Sequence, residues 1–209
     1  QNWLLSSSNH RAAQHERIAR STQLVQLLYE EECPARGPCT PTAPARLRSE
    51  AARAYVELEQ DLESEHIDLS HAHLEGVVLR KVDLQGVDLR EAALDEANLR
   101  QSDLSGTDLA YASLVDADLT NADLLNASLI RADLSRADLT GVRFGEAAMN
   151  GARLDGATLR NADLSDIRQL RSVSLTGATY NQQTDFPKGF DPKAAGMELK
   201  AHPKDAAAD

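Results

Sequence analysis

Ala117–Thr140 reads ADLTNADLLNASLIRADLSRADLT, a small residue, an acidic or polar residue and a leucine recurring every five positions. Working outward, the same spacing runs without interruption from Leu69 to Leu164. It makes twenty centres, of which only Phe144 and Met149 are not leucine. A fixed short period is the mark of a repeat architecture and takes precedence over local propensity. Five matches neither the helical period of 3.6 nor the strand period of 2. On a helix, successive centres would rotate by about 140° and leave no buried stripe. Within one unit, however, the alanine and the leucine are two residues apart, so in an extended segment both point to the same side. Each unit therefore reads as a very short strand followed by a corner. Stacked coils of such units bury the leucines in a continuous column.

Together with Val82–Arg100, VDLQGVDLREAALDEANLR, this stretch resembles the pentapeptide-repeat family. The resemblance spans Ile67–Asp166. It implies an all-β solenoid, a right-handed quadrilateral parallel β-helix with four units and twenty residues per coil. Fully burying a leucine contributes about 1.5–3 kcal/mol. The alanines at 112, 117, 122, 127, 132 and 137 suit a narrow shaft, and Val77, Val82, Val87 and Val142 mark slightly wider places.

The ends read differently. Residues 1–64 are expected to form an N-terminal α-helical hairpin that caps the solenoid, with helices over about 9–32 and 44–64. The second carries Leu47, Ala51, Ala54, Tyr55, Leu58 and Leu62 at helical spacing, and Pro44 suits its first turn. The β-helix is assigned to 65–180. After Asp166 the leucine of Ile167-Arg168-Gln169-Leu170 falls one place late, which reads as a bulge leading into a partial sixth coil. Residues 181–209 are read as a closing segment and flexible tail. Tyr180, Phe186 and Phe190 cover the last coil, and the chain frays from about Lys193.

The 209 residues carry a formal charge of −11, which argues against nucleic-acid or anionic-membrane binding by net attraction. Ten aspartates sit one place before a centre: Asp68, Asp83, Asp88, Asp103, Asp108, Asp118, Asp123, Asp133, Asp138 and Asp163. They are read as acceptors for backbone amides at the corners. Cys33 and Cys39 flank a Pro/Gly turn and are the only cysteines, which points to a disulfide and an oxidising compartment. Trp3-Leu4-Leu5 fits the trailing edge of a signal peptide or an upstream membrane anchor. The combined expectation is a bacterial periplasmic domain, or one anchored to the membrane and facing the periplasm, with a cytoplasmic location second.

No phosphate loop, zincin helix or nucleophile elbow is present, so no catalytic, cofactor or metal site is expected. His66, His71 and His73 are read as exposed imidazoles rather than a metal centre. Residues twenty apart should stack, which places Arg80, Arg100 and Arg160 in one column and Asp83, Asp103, Asp123, Arg143 and Asp163 in another. Outward positions at Ala110, Tyr111, Val115, Leu125 and Ile130 are unusually apolar and form the candidate partner patch. The function expected is a non-enzymatic structural or protein-interaction rod with an unidentified protein partner. The resemblance supplies the alternative, a DNA mimic that modulates DNA gyrase and protects it from quinolones or toxins. A homodimer is compatible with either.

Overall fold

The computed structural model describes residues 24, 26–29, 31–32, 40–41, 43–61 and 67–200. Two compact units divide the chain, Gln1–Glu65 and His66–Asp209.

In the first unit, residues 26–29 are helical. Glu31 and Glu32, expected at the end of that helix, instead form a two-residue strand, β1 (Glu31–Glu32). It pairs antiparallel with β2 (Thr40–Pro41), Glu32 opposite Thr40. Cys33 and Cys39, and with them the expected disulfide, lie outside the described residues. Helix α1 follows over Ala45–Asp61, with the Arg48 amide bonded to the Pro44 carbonyl at 3.1 Å. Among its described side chains, Arg48, Ser49, Ala51, Ala52 and Val56 are buried, whereas Leu47, expected on the apolar stripe, is 46% exposed. Two polar side chains take buried places on the helix and bond to backbone carbonyls nearby. Arg48 Nη1 donates to the Ala43 carbonyl at 2.7 Å, and Ser49 Oγ to that of Ala45 at 2.7 Å. 

The second unit is built from the five-residue unit. Each residue before a centre forms a parallel bridge to the residue twenty positions on, from Asp68 with Asp88 through Arg143 with Asp163. Four units therefore close one coil, and the regular strands are shorter than a conventional sheet strand. Ladder bonds run along the stack, for instance Leu119 N–H to the Asp138 carbonyl at 2.9 Å. Corners are four-residue turns, closed by bonds such as Ala122 N–H to the Leu119 carbonyl at 2.8 Å. The second residue after the centre has positive φ, as type II turns require. Asn121, Asn126 and Asn161 suit that conformation, but His71, Glu91, Tyr111 and Arg131 adopt it too. Left-handed backbone costs such residues about 1 kcal/mol each, and the ladder and corner bonds offset it. At the Phe144 corner the left-handed residue moves one place earlier, to Gly145, over which the Leu125 side chain lies. A Cβ there would stand 2.6 Å from Leu125 Cδ2.

The centres from Leu69 to Leu164 are buried, as are the alanines and valines expected beside them apart from Val82, which is partly exposed. After Asp166 the register slips. A 3₁₀ turn at Leu170–Ser172 absorbs one residue, Leu170 turns inward, and Arg153 then bridges Ser174. A second insertion ends at Thr184, whose hydroxyl donates to the Leu159 carbonyl at 2.8 Å, and Asp163 bridges Asp185. Tyr180 and Phe186 meet edge to face at 5.5 Å, and Phe186 stacks on Phe190 at 5.4 Å. The fraying expected from Lys193 does not occur before Lys200. β3 (Thr179–Tyr180) pairs in parallel with β4 (Glu198–Leu199), and Met197 is buried. Gly196, at φ +79, supplies the bend that returns the chain to the stack.

Candidate interaction surface

The outward positions fall into columns set by the twenty-residue coil. Each of the ten aspartates before a centre accepts, through Oδ1, the amide two residues on. The distances run from 2.9 Å for Asp68 and Ser70 to 3.1 Å for Asp123 and Leu125. The side chain thus satisfies the corner amide that the turn leaves free. At Ser113 and Ser174, which replace aspartate, the coil below provides the acceptor. Asp95 Oδ1 takes the Val115 amide at 3.1 Å and the Ser113 hydroxyl at 2.5 Å, and Asp155 does the same for Thr176 and Ser174.

Several surface carboxylates are also paired with arginines, mostly from the neighbouring coil. Arg90 holds Asp88 at 2.5 Å, Arg100 holds Asp118 at 3.1 Å, Arg136 holds Asp116 at 2.6 Å, Arg153 holds Asp133 at 3.3 Å, and Arg143 bonds Asp123. The hydrogen bond from Arg136 keeps the Asp116 carboxyl below the usual carboxylate range and raises the Arg136 guanidinium in turn. At Asp118 burial pushes the pKa up, but the Thr120 hydroxyl and amide, with Arg100, outweigh it and hold the group low. The bond to Asp88 likewise raises Arg90. The expected column Asp83–Asp103–Asp123–Arg143–Asp163 is present as a chain of bridges. Its neighbour, Arg80–Arg100–Thr120–Thr140–Arg160, is present through ladder bonds such as Lys81 to Arg100 and Gly141 to Arg160.

The apolar patch is narrower than the sequence implied. Tyr111 is 55% and Ile130 37% exposed, and the Tyr111 amide donates to the Ile130 carbonyl at 2.9 Å. Ala110 shares their corner but is buried at 9% exposure. Val115 sits on the next corner and Leu125 on the preceding one, folded over Gly145 and half-buried. The structure therefore brings together Tyr111 and Ile130 at one corner and spreads Val115 and Leu125 to its sides. Arg131 was missed in the sequence: its guanidinium lies 5.8 Å from the Tyr111 ring centroid. It stands twenty residues after Tyr111, so the stacking rule contained the signal. The pairing holds the aromatic ring outward on a fixed backbone.

The two described histidines go to separate carboxylates, His71 to Glu91 at 3.4 Å and His73 to Glu75 at 3.3 Å. His66 lies outside the described residues. No helix among the described residues is long and apolar enough to cross a membrane.

A stack of four-cornered coils with a bridge at every twentieth residue defines a short-period solenoid. Residues 65–101, 89–124, 102–141 and 127–166 match the family model for pentapeptide repeats, and the chain belongs to the pentapeptide-repeat family. Among solved structures it is similar to HetL, a pentapeptide repeat protein involved in heterocyst differentiation regulation from the cyanobacterium Nostoc sp. strain PCC 7120. The identity there is 27%, covering 65% of this chain and 80% of that one, with a TM-score of 0.39. It is similar also to a pentapeptide repeat protein from the Arabidopsis thaliana thylakoid lumen, at 33% identity over 57% of this chain and 74% of that one, TM-score 0.34. A third likeness is to QnrB1, a plasmid-mediated fluoroquinolone resistance protein, at 20% identity over 67% and 80%, TM-score 0.46. No curated protein matches the sequence.

Proposed function

We propose that this protein is a non-enzymatic interaction module, a rigid repeat frame that offers the Tyr111–Ile130 corner to a protein partner in the bacterial envelope. The observation that carries the reading is an exposed tyrosine, backed by Arg131 and joined to an exposed isoleucine by a backbone bond. Large side chains pre-ordered on a stiff support lose little entropy on binding, and tyrosine is enriched among residues that dominate interface energy. The envelope location rests on Cys33 and Cys39, the only two cysteines, flanking a Pro/Gly-containing stretch of the sequence. An upstream anchor and a homodimer belong to the same proposal.

The test is a quantitative pull-down with mass spectrometry from the native organism, comparing wild type with Tyr111→Glu/Ile130→Glu. Both sites point outward, so the double variant keeps its circular dichroism and loses the partner. Equal recovery by both proteins would sink the reading. Fusion of the full-length gene product to alkaline phosphatase checks the location, activity outside the cytoplasm being the expected result.

The gyrase reading draws on the aspartate column. Against it, Arg143 neutralises Asp123 within that column, and Arg80, Lys81 and Arg100 occupy the adjoining corner. A surface imitating DNA needs an unbroken negative stripe, so this reading ranks second.

A further inference from the structure

The bulge after Asp166 opens a groove that the repeat itself does not contain. One extra residue between Ile167 and Leu170 throws Arg168 and Gln169 outward, and the loop from Pro187 to Ala195 arches past them. Between the two lie clefts of about 520 and 500 Å³. They share Leu170, Arg171, Gly189 and Phe190, so they form one continuous depression. Its size is that of a ligand site rather than a surface dimple.

The two halves differ in the charge of their linings. The first is rimmed by Arg168, Arg171 and Lys188 and has no carboxylate in its lining. Arg168 is held by Glu146 at 2.9 Å. Arg171 and Lys188 are exposed and make no ion pair among the described residues. On the coils, Arg90, Arg100, Arg136, Arg143 and Arg153 are each bonded to an aspartate. The second half is mixed: Leu170 and Phe190, with the largely buried Val173 and Leu175, give it an apolar strip beside Ser174 and Thr176. Its one acid, Asp191, is turned to its own loop, accepting the Lys193 and Ala194 amides at 3.0 and 3.2 Å. In a chain of net charge −11, this groove gathers Arg171 and Lys188 on a rim without a carboxylate, next to the exposed part of the Phe190 ring.

We infer that this groove docks an extended acidic peptide segment carrying one large apolar side chain. Its carboxylates meet Arg171 and Lys188, and its apolar residue lies against Leu170 and Phe190. Charge complementarity selects the occupant: a basic or neutral segment would leave the two cations uncompensated, and a purely acidic one would leave the apolar strip wet. The site is independent of the Tyr111–Ile130 corner.

Selection of a displayed random heptapeptide library on the full chain tests this. The selected peptides should carry two or more Asp/Glu and a large apolar residue. Measured by fluorescence anisotropy, their affinity should fall at least tenfold in Arg171→Glu/Lys188→Glu. It should stay within twofold in Lys81→Glu/Arg160→Glu, which changes net charge equally but elsewhere, and in Tyr111→Glu/Ile130→Glu. No enrichment, enrichment of peptides without acids, or equal weakening by both charge-swapped variants would overturn the inference. Binding that emerges only when residues 201–209 are deleted would assign the groove to the chain's own last segment and overturn it as well.

Discussion

The coils from Ile67 to Asp166 and the closing segment from Ile167 to Lys200 share one unit but are held by different means. In the coils, each side-chain role repeats every five residues and each bridge joins residues twenty apart. Aspartates bond their own corners, and five arginines bond aspartates. In the closing segment the partners lie twenty-one, twenty-two and then nineteen residues away. There, aromatic stacking replaces the leucine column and cations stand free beside a groove. Regularity gives a stiff frame, and individuality collects where the period fails.

The harshest way to break this comparison is to place a charge in the regular column. Leu119→Asp buries a carboxylate with no partner and should cost more than about 4 kcal/mol. The protein should then lose its cooperative unfolding transition in circular dichroism. A variant that melts like wild type would mean the column is not the source of stability.

Phe186→Ala attacks the other region. Removing the middle ring of the Tyr180–Phe186–Phe190 stack should cost about 2 kcal/mol, below the figure for a fully buried phenylalanine because Phe186 is half-exposed. The loss should stay local: hydrogen exchange should quicken over 178–200 and remain unchanged at 99–140. Uniform quickening would show that the two regions are one cooperative block.

The corner acceptors give a smaller effect. Asp133→Ala removes the acceptor of the Ser135 amide and hydroxyl and the partner of Arg153. The expected cost is about 1 kcal/mol, read from chemical denaturation. Asp133→Asn keeps the amide bond and should recover most of it.

The smallest effect concerns pH. Asp116 and Asp118 are held below their ordinary range in the folded state. Their stabilisation is therefore complete above about pH 4, the unfolded carboxylate value, and is lost as pH falls through the depressed folded values. Tm should be level from pH 7 to about 4 and then drop, and Arg136→Gln should make the drop shallower. A Tm that rises on acidification would contradict the sign.

Most of the frame was legible in the sequence because one rule generates it. Given the period, Leu119 must be buried, Asp118 must reach a corner amide, and Asp83 must stack beneath Asp103. The corner conformations were not legible in this way. Nothing in the residue types of Glu91 or Tyr111 announces a positive φ, which the closed coil imposes on them. Leu47 and the Glu31–Glu32 strand were misplaced because helical spacing cannot say which side a short segment buries. The tail was misread from composition: Ala/Lys/Asp content predicts disorder, but Gly196 and Met197 return the chain to the stack. The patch was found only in part, since exposure depends on what lies twenty residues away, and Arg131 and Gly145 decide it for Tyr111 and Leu125.

The central claim, that the Tyr111–Ile130 corner meets a partner protein, is tested most directly by a photo-crosslinking amino acid placed singly at position 130 or 101 in living cells. Gln101 is exposed on a different corner of the same frame. The account predicts a discrete protein adduct from position 130 and none from position 101. No adduct at either site, or the same adducts at both, would contradict it.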